Sequence, residues 1–432
     1  MQKVLSEVLP VIKPSPQELS EELAFAQTLV EHVRGNIPPG CDAMLTGSVA
    51  KRTFLREKRD IDIFVLFDRN MPREGLEPAI RTIMEAAFPK LGYQLSYAEH
   101  PYARFRFEGR RIDLVPAYKI TDASQRLSAV DRSALHTHFV LKSLRAGQAD
   151  DVILLKQFLR ANSLYGAEIK VEGFSGYLCE LLIIKYGGIT SLVKTAARWK
   201  APVFFDAGGH YRDKKAVREA TKRFGFFVAI DPTDKNRNVA AAVSRNSFSQ
   251  FISLCRRFVK KPSTEFFLRR PELFEDKLMK AAATKKAFLV SLPRPDVVDD
   301  VMWGQLRKIA NQLTARLEDF RPADIIADDG RHLVRLGIVL GRDQLPPTMQ
   351  LEGPPLRMAR HVAEFRKRHK GAKFTIKRKK IFADVKRPVV TAEKAIRAFF
   401  RDISATKSHF AYPDEMVILE RVPGKKKPKV RR

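Results

Sequence analysis

Two aspartates, Asp60 and Asp62, stand two residues apart in Arg59-Asp60-Ile61-Asp62-Ile63-Phe64-Val65. In a strand, residues i and i+2 point to one face. The two carboxylates therefore project together, while Ile61 and Ile63 enter a core on the other side. Carboxylates this close repel each other and are costly to hold against an apolar strand unless a cation neutralises them. Hard oxygen donors of this kind suit Mg²⁺. Taken alone, the pair also describes a strand end with two exposed acids. Three neighbouring features add to the metal reading. Gly47-Ser48 follows a short strand; glycine there lets backbone N–H groups approach a phosphate, and serine adds a hydroxyl donor. Lys51 lies one turn later, placed to meet triphosphate charge. Asp113, within Arg111-Ile112-Asp113-Leu114-Val115, supplies a third acid on a neighbouring strand between apolar residues. Its bland reading is a strand-end aspartate capping a turn.

These side chains need elements to carry them. Ser15-Pro16-Gln17-Glu18 starts a helix: serine as N-cap, proline at the first position, glutamate closing a capping box. Leu19, Leu23, Phe25, Ala26 and Val30 give that helix an apolar face. Strands are expected over 43–46 and 60–67, a helix over 77–91, and a hairpin of 104–108 with 111–115 about Gly109-Arg110. This βαβ-like block ends near residue 120. From Asp131 the spacing is helical, with helices over 152–161, 174–186, 191–200 and 247–259. Lys260-Lys261-Pro262 marks a boundary. Beyond it, helices are expected over 299–320, 356–369 and 391–403, strands within 325–340 about Asp329-Gly330, and a hairpin over 374–385. There is no internal repeat.

The composition says what such a site would serve. The chain has 432 residues with 79 Lys plus Arg against 49 Asp plus Glu, a net charge of +30. That excess implies a large anionic partner, either nucleic acid or an anionic membrane surface. No 18-residue apolar run is present, so no membrane span is expected. A peripheral membrane role would need a basic-flanked amphipathic helix, which the chain lacks. Residues 366–387 carry eleven Lys or Arg and one acid, Asp384, and the last twelve residues carry seven Lys or Arg. Cys41, Cys179 and Cys255 lie far apart, against a disulfide framework or a cysteine zinc site. The N-terminus lacks the regions of a signal peptide. A cytoplasmic protein without a membrane partner is expected.

Gly-Ser, eleven intervening residues, then Asp-Ile-Asp-Ile resembles the nucleotidyltransferase signature of the DNA polymerase β superfamily. The longer run Gly47-Ser-Val-Ala-Lys-Arg-Thr-Phe-Leu with Asp60-Ile-Asp-Ile-Phe-Val resembles, more narrowly, the archaeal-type (class I) CCA-adding enzymes, which are tRNA nucleotidyltransferases. So do Tyr97-Ala-Glu-His-Pro-Tyr-Ala, Ala129-Val-Asp-Arg-Ser-Ala-Leu-His-Thr, Leu155-Lys-Gln-Phe-Leu, Gly173-Phe-Ser-Gly-Tyr-Leu-Cys-Glu-Leu-Leu-Ile and Asp231-Pro-Thr-Asp-Lys-Asn-Arg-Asn-Val-Ala. The strong matches cover residues 15–260; beyond 260 they are looser, mainly Gly353-Pro-Pro and Ala392-Glu-Lys. Some members of the family have Glu where Asp60 stands, which keeps the charge. The segment from Trp199 to Phe227 matches poorly. No His-Asp phosphohydrolase pair is present, in keeping with class I.

The resemblance implies an α+β multidomain fold. A polymerase-β-like nucleotidyltransferase palm domain would span 1–140, and a mostly helical central domain binding nucleotide and tRNA 141–262. A mixed α/β C-terminal RNA-binding region with a basic tail would span 263–432. It implies template-independent addition of C, C and A to the 3′ end of tRNA from CTP and ATP, with two Mg²⁺ ions held by Asp60, Asp62 and Asp113. Gly47, Ser48 and Lys51 would line the triphosphate. Ser133, His136, Lys156 and Tyr165 match residues contacting the nucleotide's sugar and phosphates, and Arg237 matches the arginine that reads the base. Each has a bland alternative: His136 a structural histidine, Lys156 a lysine snorkelling from an amphipathic helix, Arg237 a first-turn residue after Asp234 as N-cap. Phe174, Tyr177 and Leu178 are assigned to core. Partners would be tRNA, nucleoside triphosphates and, in a homodimer, a second copy. The palm motif alone also fits a poly(A)-adding type of RNA nucleotidyltransferase or a non-catalytic RNA-binding protein on a retired fold.

Overall fold

The computed structural model describes residues 1–97, 101–270 and 272–423. The chain divides into two compact units, Met1–Pro271 and Glu272–Arg432. The first begins with α1 (Gln2–Ile12) and α2 (Pro16–Arg34). Ser15 caps α2 as expected: its Oγ accepts the Glu18 N–H at 3.1 Å, and the Glu18 carboxylate accepts the Ser15 N–H at 2.8 Å. There follow β1 (Asp42–Thr46), the single turn α3 (Gly47–Ala50), β2 (Ile61–Phe67), α4 (Leu76–Ala87), β3 (Tyr93–Tyr97), β4 (Pro101–Phe107) and β5 (Arg110–Tyr118). The strands form one sheet in the order β1-β2-β5-β4-β3, with only β2 and β5 parallel.

Alternation along β2 sorts its side chains. Ile61, Ile63, Val65 and Phe67 pack into the core formed with Val30 of α2 and Ile80 and Ile83 of α4. Phe64 and Leu66 face the other side, against Ala117 and Val130. Each fully buried aliphatic or aromatic side chain contributes about 1.5–3 kcal/mol, so a one-residue slip, which would turn Asp60 and Asp62 into that core, is strongly disfavoured. The register is what fixes the acids on the open face.

The rest of the first unit carries α5 (Arg132–Ser143), α6 (Gln148–Arg160), α7 (Gly176–Tyr186), α8 (Ile189–Ala196), β6 (Val203–Asp206), α9 (Lys214–Phe224), β7 (Phe227–Asp231), β8 (Asp234–Asn238), α10 (Arg245–Lys260) and α11 (Glu265–Leu268). Its core includes Leu5, Val8 and Ile12 of α1 and an aromatic cluster in which Phe174 and Phe251 lie 4.7 Å apart and Trp199 stacks on Phe248 at 5.9 Å. Phe267 of α11 packs on Phe158 and Phe258, so the unit runs past Pro262. The helices expected from sequence are present. The small sheet β6-β7-β8 is not among the elements expected in this mostly helical stretch. Its strands have four or five residues, and β7 is buried throughout, so no alternation betrays it.

The second unit comprises α12 (Phe274–Ala282), β9 (Lys286–Pro293), α13 (Asp299–Arg316), β10 (Pro322–Asp329), β11 (Leu333–Leu340), β12 (Thr348–Pro355), α14 (Ala359–Arg368), β13 (Lys373–Lys377), β14 (Lys380–Lys386), α15 (Ala392–Ser404) and β15 (Ile418–Val422). Two antiparallel sheets result, β10-β11-β9-β15 and β12-β14-β13. Phe365 of α14 sits against Gly353 and Ile381; a Cβ on Gly353 would lie 2.7 Å from its ring. Much of the basic run at 366–387 is exposed on α14 and the β13–β14 hairpin. The tail 424–432 lies outside the described residues, as do residues 98–100 within the Tyr97-Ala-Glu-His-Pro-Tyr-Ala block. Among the described residues no single helix is long and apolar enough to cross a membrane.

Candidate active site

Parallel pairing of β2 with β5 sets Asp62 directly beside Asp113. Asp60 lies two residues before Asp62, just ahead of β2. Burial, with Asp113 and Asp60 close by, pushes the Asp62 carboxyl up to about 6. Gly47 makes room for it. Its φ is +70°, which favours glycine, and a Cβ there would fall 1.9 Å from Asp62 Oδ2. The other two acids have arginine partners. Arg104, opposite Asp113 in the β4–β5 pairing, donates through Nε and Nη2 to both carboxylate oxygens at 2.8 and 2.7 Å. Arg111 donates to Asp60 Oδ2, and Lys58 Nζ is 3.9 Å from the same oxygen. Among the described residues no three His, Cys, Asp or Glu side chains converge as a ready-made cation cage. The donor chemistry nonetheless fits a hard divalent cation: three carboxylates on adjoining segments, one of them raised by burial and then by the charge of the other two, are what such an ion would relieve.

Next to the acids is a cavity of about 210 Å³, lined by Ser48, Lys51, Thr53, Asp60, Asp62, Lys156, Tyr165, Tyr177 and Glu180 among others. Its basic wall is tied together by one buried carboxylate. Lys51 Nζ donates to Glu180 Oε2 at 2.6 Å, and Lys156 Nζ to Glu180 Oε1 at 3.3 Å. Lys156 also donates to the carbonyl and hydroxyl of Thr53, both at 3.0 Å, and the Thr53 hydroxyl donates to Glu180 Oε1 at 2.9 Å. Burial alone would raise the Glu180 carboxyl; Lys51 and Lys156 outweigh it and hold the group below its ordinary range. Burial pulls Lys156 below the usual lysine range, against the attraction of Glu180. Lys156 is 2% exposed, so it does not snorkel.

A second network centres on Asp231 at the end of β7, which is fully buried. Its carboxylate accepts from His136 Nε2 at 2.8 Å, Arg237 Nη1 at 2.8 Å, Tyr177 Oη at 3.2 Å, and the backbone N–H and hydroxyl of Thr233, both at 2.9 Å. Burial opposes ionisation, but the hydrogen bonds to His136 and Thr233 and the charge of Arg237 prevail, holding the carboxyl below its ordinary value. His136 stacks on Tyr177 with ring centroids 4.1 Å apart. Burial lowers the imidazole, so at neutral pH it is uncharged and donates through Nε2.

The sequence-derived residues thus fall into two adjoining groups. Ser48, Lys51, Asp60, Asp62, Lys156 and Tyr165 line the cavity, with Gly47 and Asp113 against Asp62. His136 and Arg237 gather on Asp231 and are linked to the cavity by Tyr177. Ser133 lies one turn before His136 on α5, partly buried and outside the cavity lining. Two readings need correction. Arg237 is on strand β8, not in the first turn of a helix. Tyr177 packs against the core but also lines the cavity, whereas Phe174 and Leu178 are core alone. The sequence reading singled out neither Glu180, Thr53, Asp231, Arg104 nor Arg111. Arg104 is not the residue the expected hairpin gives: a turn at Gly109-Arg110 would set Arg106 opposite Asp113, whereas the turn forms one residue earlier, at Glu108-Gly109, and pairs Arg104 with it.

Comparison with known proteins gives three family matches in succession. Residues 27–136 match the nucleotidyltransferase domain, 150–268 the second domain of tRNA nucleotidyltransferase, and 283–409 the C-terminal domain of the CCA-adding enzyme. The chain is 34% identical to the CCA-adding enzyme of Methanocaldococcus jannaschii, over 90% of this chain and 88% of that protein. It is 34% identical to that of Methanoregula boonei over 83% and 77%, and 32% identical to that of Archaeoglobus fulgidus over 92% and 89%.

Proposed function

The chain belongs to the CCA-adding enzyme family, and from that premise we propose that it adds C, C and A, without a template, to the 3′ end of tRNA from CTP and ATP. The observation that carries the chemistry is the pairing of Asp62 with Asp113 beside a cavity whose wall holds two lysines. Carboxylates and ammoniums lining one cavity suit attack of a 3′-hydroxyl on a nucleoside triphosphate.

Nucleotidyltransferase chemistry calls for a divalent cation, and the finer reading is two Mg²⁺ ions held by Asp60, Asp62 and Asp113. Such ions lower the pKa of the attacking hydroxyl and neutralise the leaving pyrophosphate. The chain's own residues do the rest. Gly47 admits the Asp62 carboxylate to its working position. Ser48 offers a hydroxyl, and Lys51 and Lys156 offer positive charge to the triphosphate. Tyr165, Ser133 and His136 would contact sugar and phosphate. Arg237, fixed through one nitrogen by Asp231, keeps further N–H groups that can donate to acceptors on cytosine and adenine, and it offers nothing that accepts from a base. Lys and Arg on α14, β13 and β14, with the tail beyond residue 423, would contact the tRNA backbone. Such contacts position rather than specify, so recognition rests mainly on A-form shape. A homodimer and a cytoplasmic location complete the reading; three unpaired cysteines are consistent with a reducing compartment.

The test is incorporation of labelled CTP and ATP, with Mg²⁺ and with a chelator control, into tRNA lacking CCA, tRNA ending in CC, and an unrelated single-stranded RNA. Completion of CCA on both tRNAs, termination there and no reaction on the single strand is the expected result. Open-ended adenylation would move the protein to the poly(A)-adding class. Salt-sensitive tRNA binding without incorporation would make it a binding protein.

A further inference from the structure

The lysine wall poses an electrostatic problem. Lys51 and Lys156 are both buried, and both place their ammonium groups on the same carboxylate. Two ammoniums held this way, out of water and close together, would repel each other and shed a proton. The groups that face Lys156 are few. The segment after α3 supplies Lys51 and Thr53. From α7 come Glu180 and Cys179, and burial pushes the Cys179 thiol up to about 12, so it is neutral. Tyr165 is near and is likewise pushed up by burial. Asp60 and Asp62 line the same cavity but bond neither lysine. Among the described residues Glu180 is therefore the one carboxylate bonded to both ammoniums, and it is itself 1% exposed.

The hydrogen bonds give the two lysines different duties. Lys156 spends its three donors on the Thr53 carbonyl, the Thr53 hydroxyl and Glu180, so it serves an anion by charge. Lys51 spends one donor on Glu180 and has two more to present to a ligand. Two ammoniums and one carboxylate leave this wall with one net positive charge, the sign an anion site needs.

We propose that Glu180 is a positioning residue for the nucleotide's phosphates, anchoring Lys51 and keeping Lys156 protonated in the wall so that a triphosphate, and afterwards pyrophosphate, meets two fixed positive charges. This rests on the reading of the cavity as the triphosphate site. Glu180 touches no reacting atom; it acts through the lysines.

The experiment is equilibrium binding of CTP and, separately, of inorganic pyrophosphate to the full chain in Mg²⁺, from about pH 6 to about pH 10, spanning the range where a perturbed lysine titrates. Glu180→Gln removes the charge that holds the Lys156 proton. The alkaline loss of affinity then moves down by about one to three pH units, the usual effect of one close opposite charge. At the alkaline end both ligands bind about tenfold more weakly than to the wild type, the loss expected for one charge-assisted contact. Glu180→Asp, which keeps the charge, retains the wild-type alkaline limb. An E180Q profile parallel to the wild type, whatever its absolute affinity, overturns the proposal, because a merely structural residue would lower affinity at every pH alike. Should E180Q not fold, Thr53→Val carries the test: it removes a hydroxyl bonded to both Lys156 and Glu180, and the limb moves the same way by less. An unmoved limb in that variant overturns the proposal equally. If the wild type binds neither CTP nor pyrophosphate, it is the reading of the cavity that fails.

Discussion

Gly47→Ala is the perturbation whose consequence the geometry fixes most closely. Two effects add. The residue sits at φ +70°, where an L side chain costs about 1–2 kcal/mol. The new methyl would also fall 1.9 Å from Asp62 Oδ2 and 2.9 Å from its Cγ. Ordinary van der Waals contact begins near 3.4 Å, so the carboxylate must retreat by about 1.5 Å or the α3 turn must shift by as much. Displacements of about 1 Å at a reacting centre cost roughly a hundredfold in rate. The expected outcome is a loss of about two orders of magnitude in kcat/KM for labelled CMP incorporation into tRNA lacking CCA. Melting temperature should fall by only a few degrees, since about 1–2 kcal/mol is spread over a large unit. tRNA binding should be unchanged, because no backbone-contacting residue moves. An alanine variant that incorporates CMP at the wild-type rate would refute the reasoning, since Asp62 would then tolerate a displacement that a metal ligand cannot.

Three further outcomes follow from the same structure. Asp62→Ala abolishes incorporation and leaves tRNA binding nearly intact; filter binding and primer extension on one preparation separate the two, and comparable residual turnover would count against the metal assignment. Asp231 is held below its ordinary value, so its stabilising contribution is full above an unfolded pKa of about 3.9 and is lost as pH falls through the lower folded value. Thermal melts of Asp231→Asn should therefore start from a lower melting temperature near neutral pH and lose less of it on acidification to about pH 3 than the wild type does; equal acid slopes would show that the hub contributes nothing. Replacing the exposed Lys373 and Lys379 with alanine should weaken tRNA binding and reduce the slope of log affinity against log salt by about one for each phosphate no longer neutralised. An unchanged slope would place the tRNA elsewhere.

Much of the fold is legible in the sequence because local signals there agree. The capping box at Ser15, the alternation along β2 and the turn at Asp329-Gly330 each act over a few residues; the hairpin of β4 with β5 is legible as well, but its turn falls one residue earlier than expected, at Glu108-Gly109. The sheet β6-β7-β8 is hidden for the opposite reason. Its central strand is apolar on both faces, and Asp234, which begins β8, has the composition of a helix cap. Length and burial there overrode local preference.

The site divides along the same line. Asp62 and Asp113 stand out because a charged residue inside an apolar strand has no cheap structural explanation, and Asp60, just ahead of β2, by its spacing from Asp62. Their arginine partners depend on pairing. Arg104 follows from Asp113 only once the turn is placed at Glu108-Gly109, which pairs Phe107 with Arg110; the expected turn at Gly109-Arg110 would have set Arg106 there instead. Glu180 could not be found that way. Its partners Lys51, Thr53 and Lys156 are 129, 127 and 24 residues distant in the chain, and only packing of α6 and α7 beside the α3 turn joins them. What the sequence did offer was a glutamate in the run Leu178-Cys179-Glu180-Leu181-Leu182-Ile183, apolar on every side. A helix that is apolar all round is buried, and a carboxylate inside it must find a cation or lose its charge. The argument applied to Asp113 in its strand applies with equal force to Glu180 in its helix. The partner could not be named from sequence, but that a buried cation must meet Glu180 could have been.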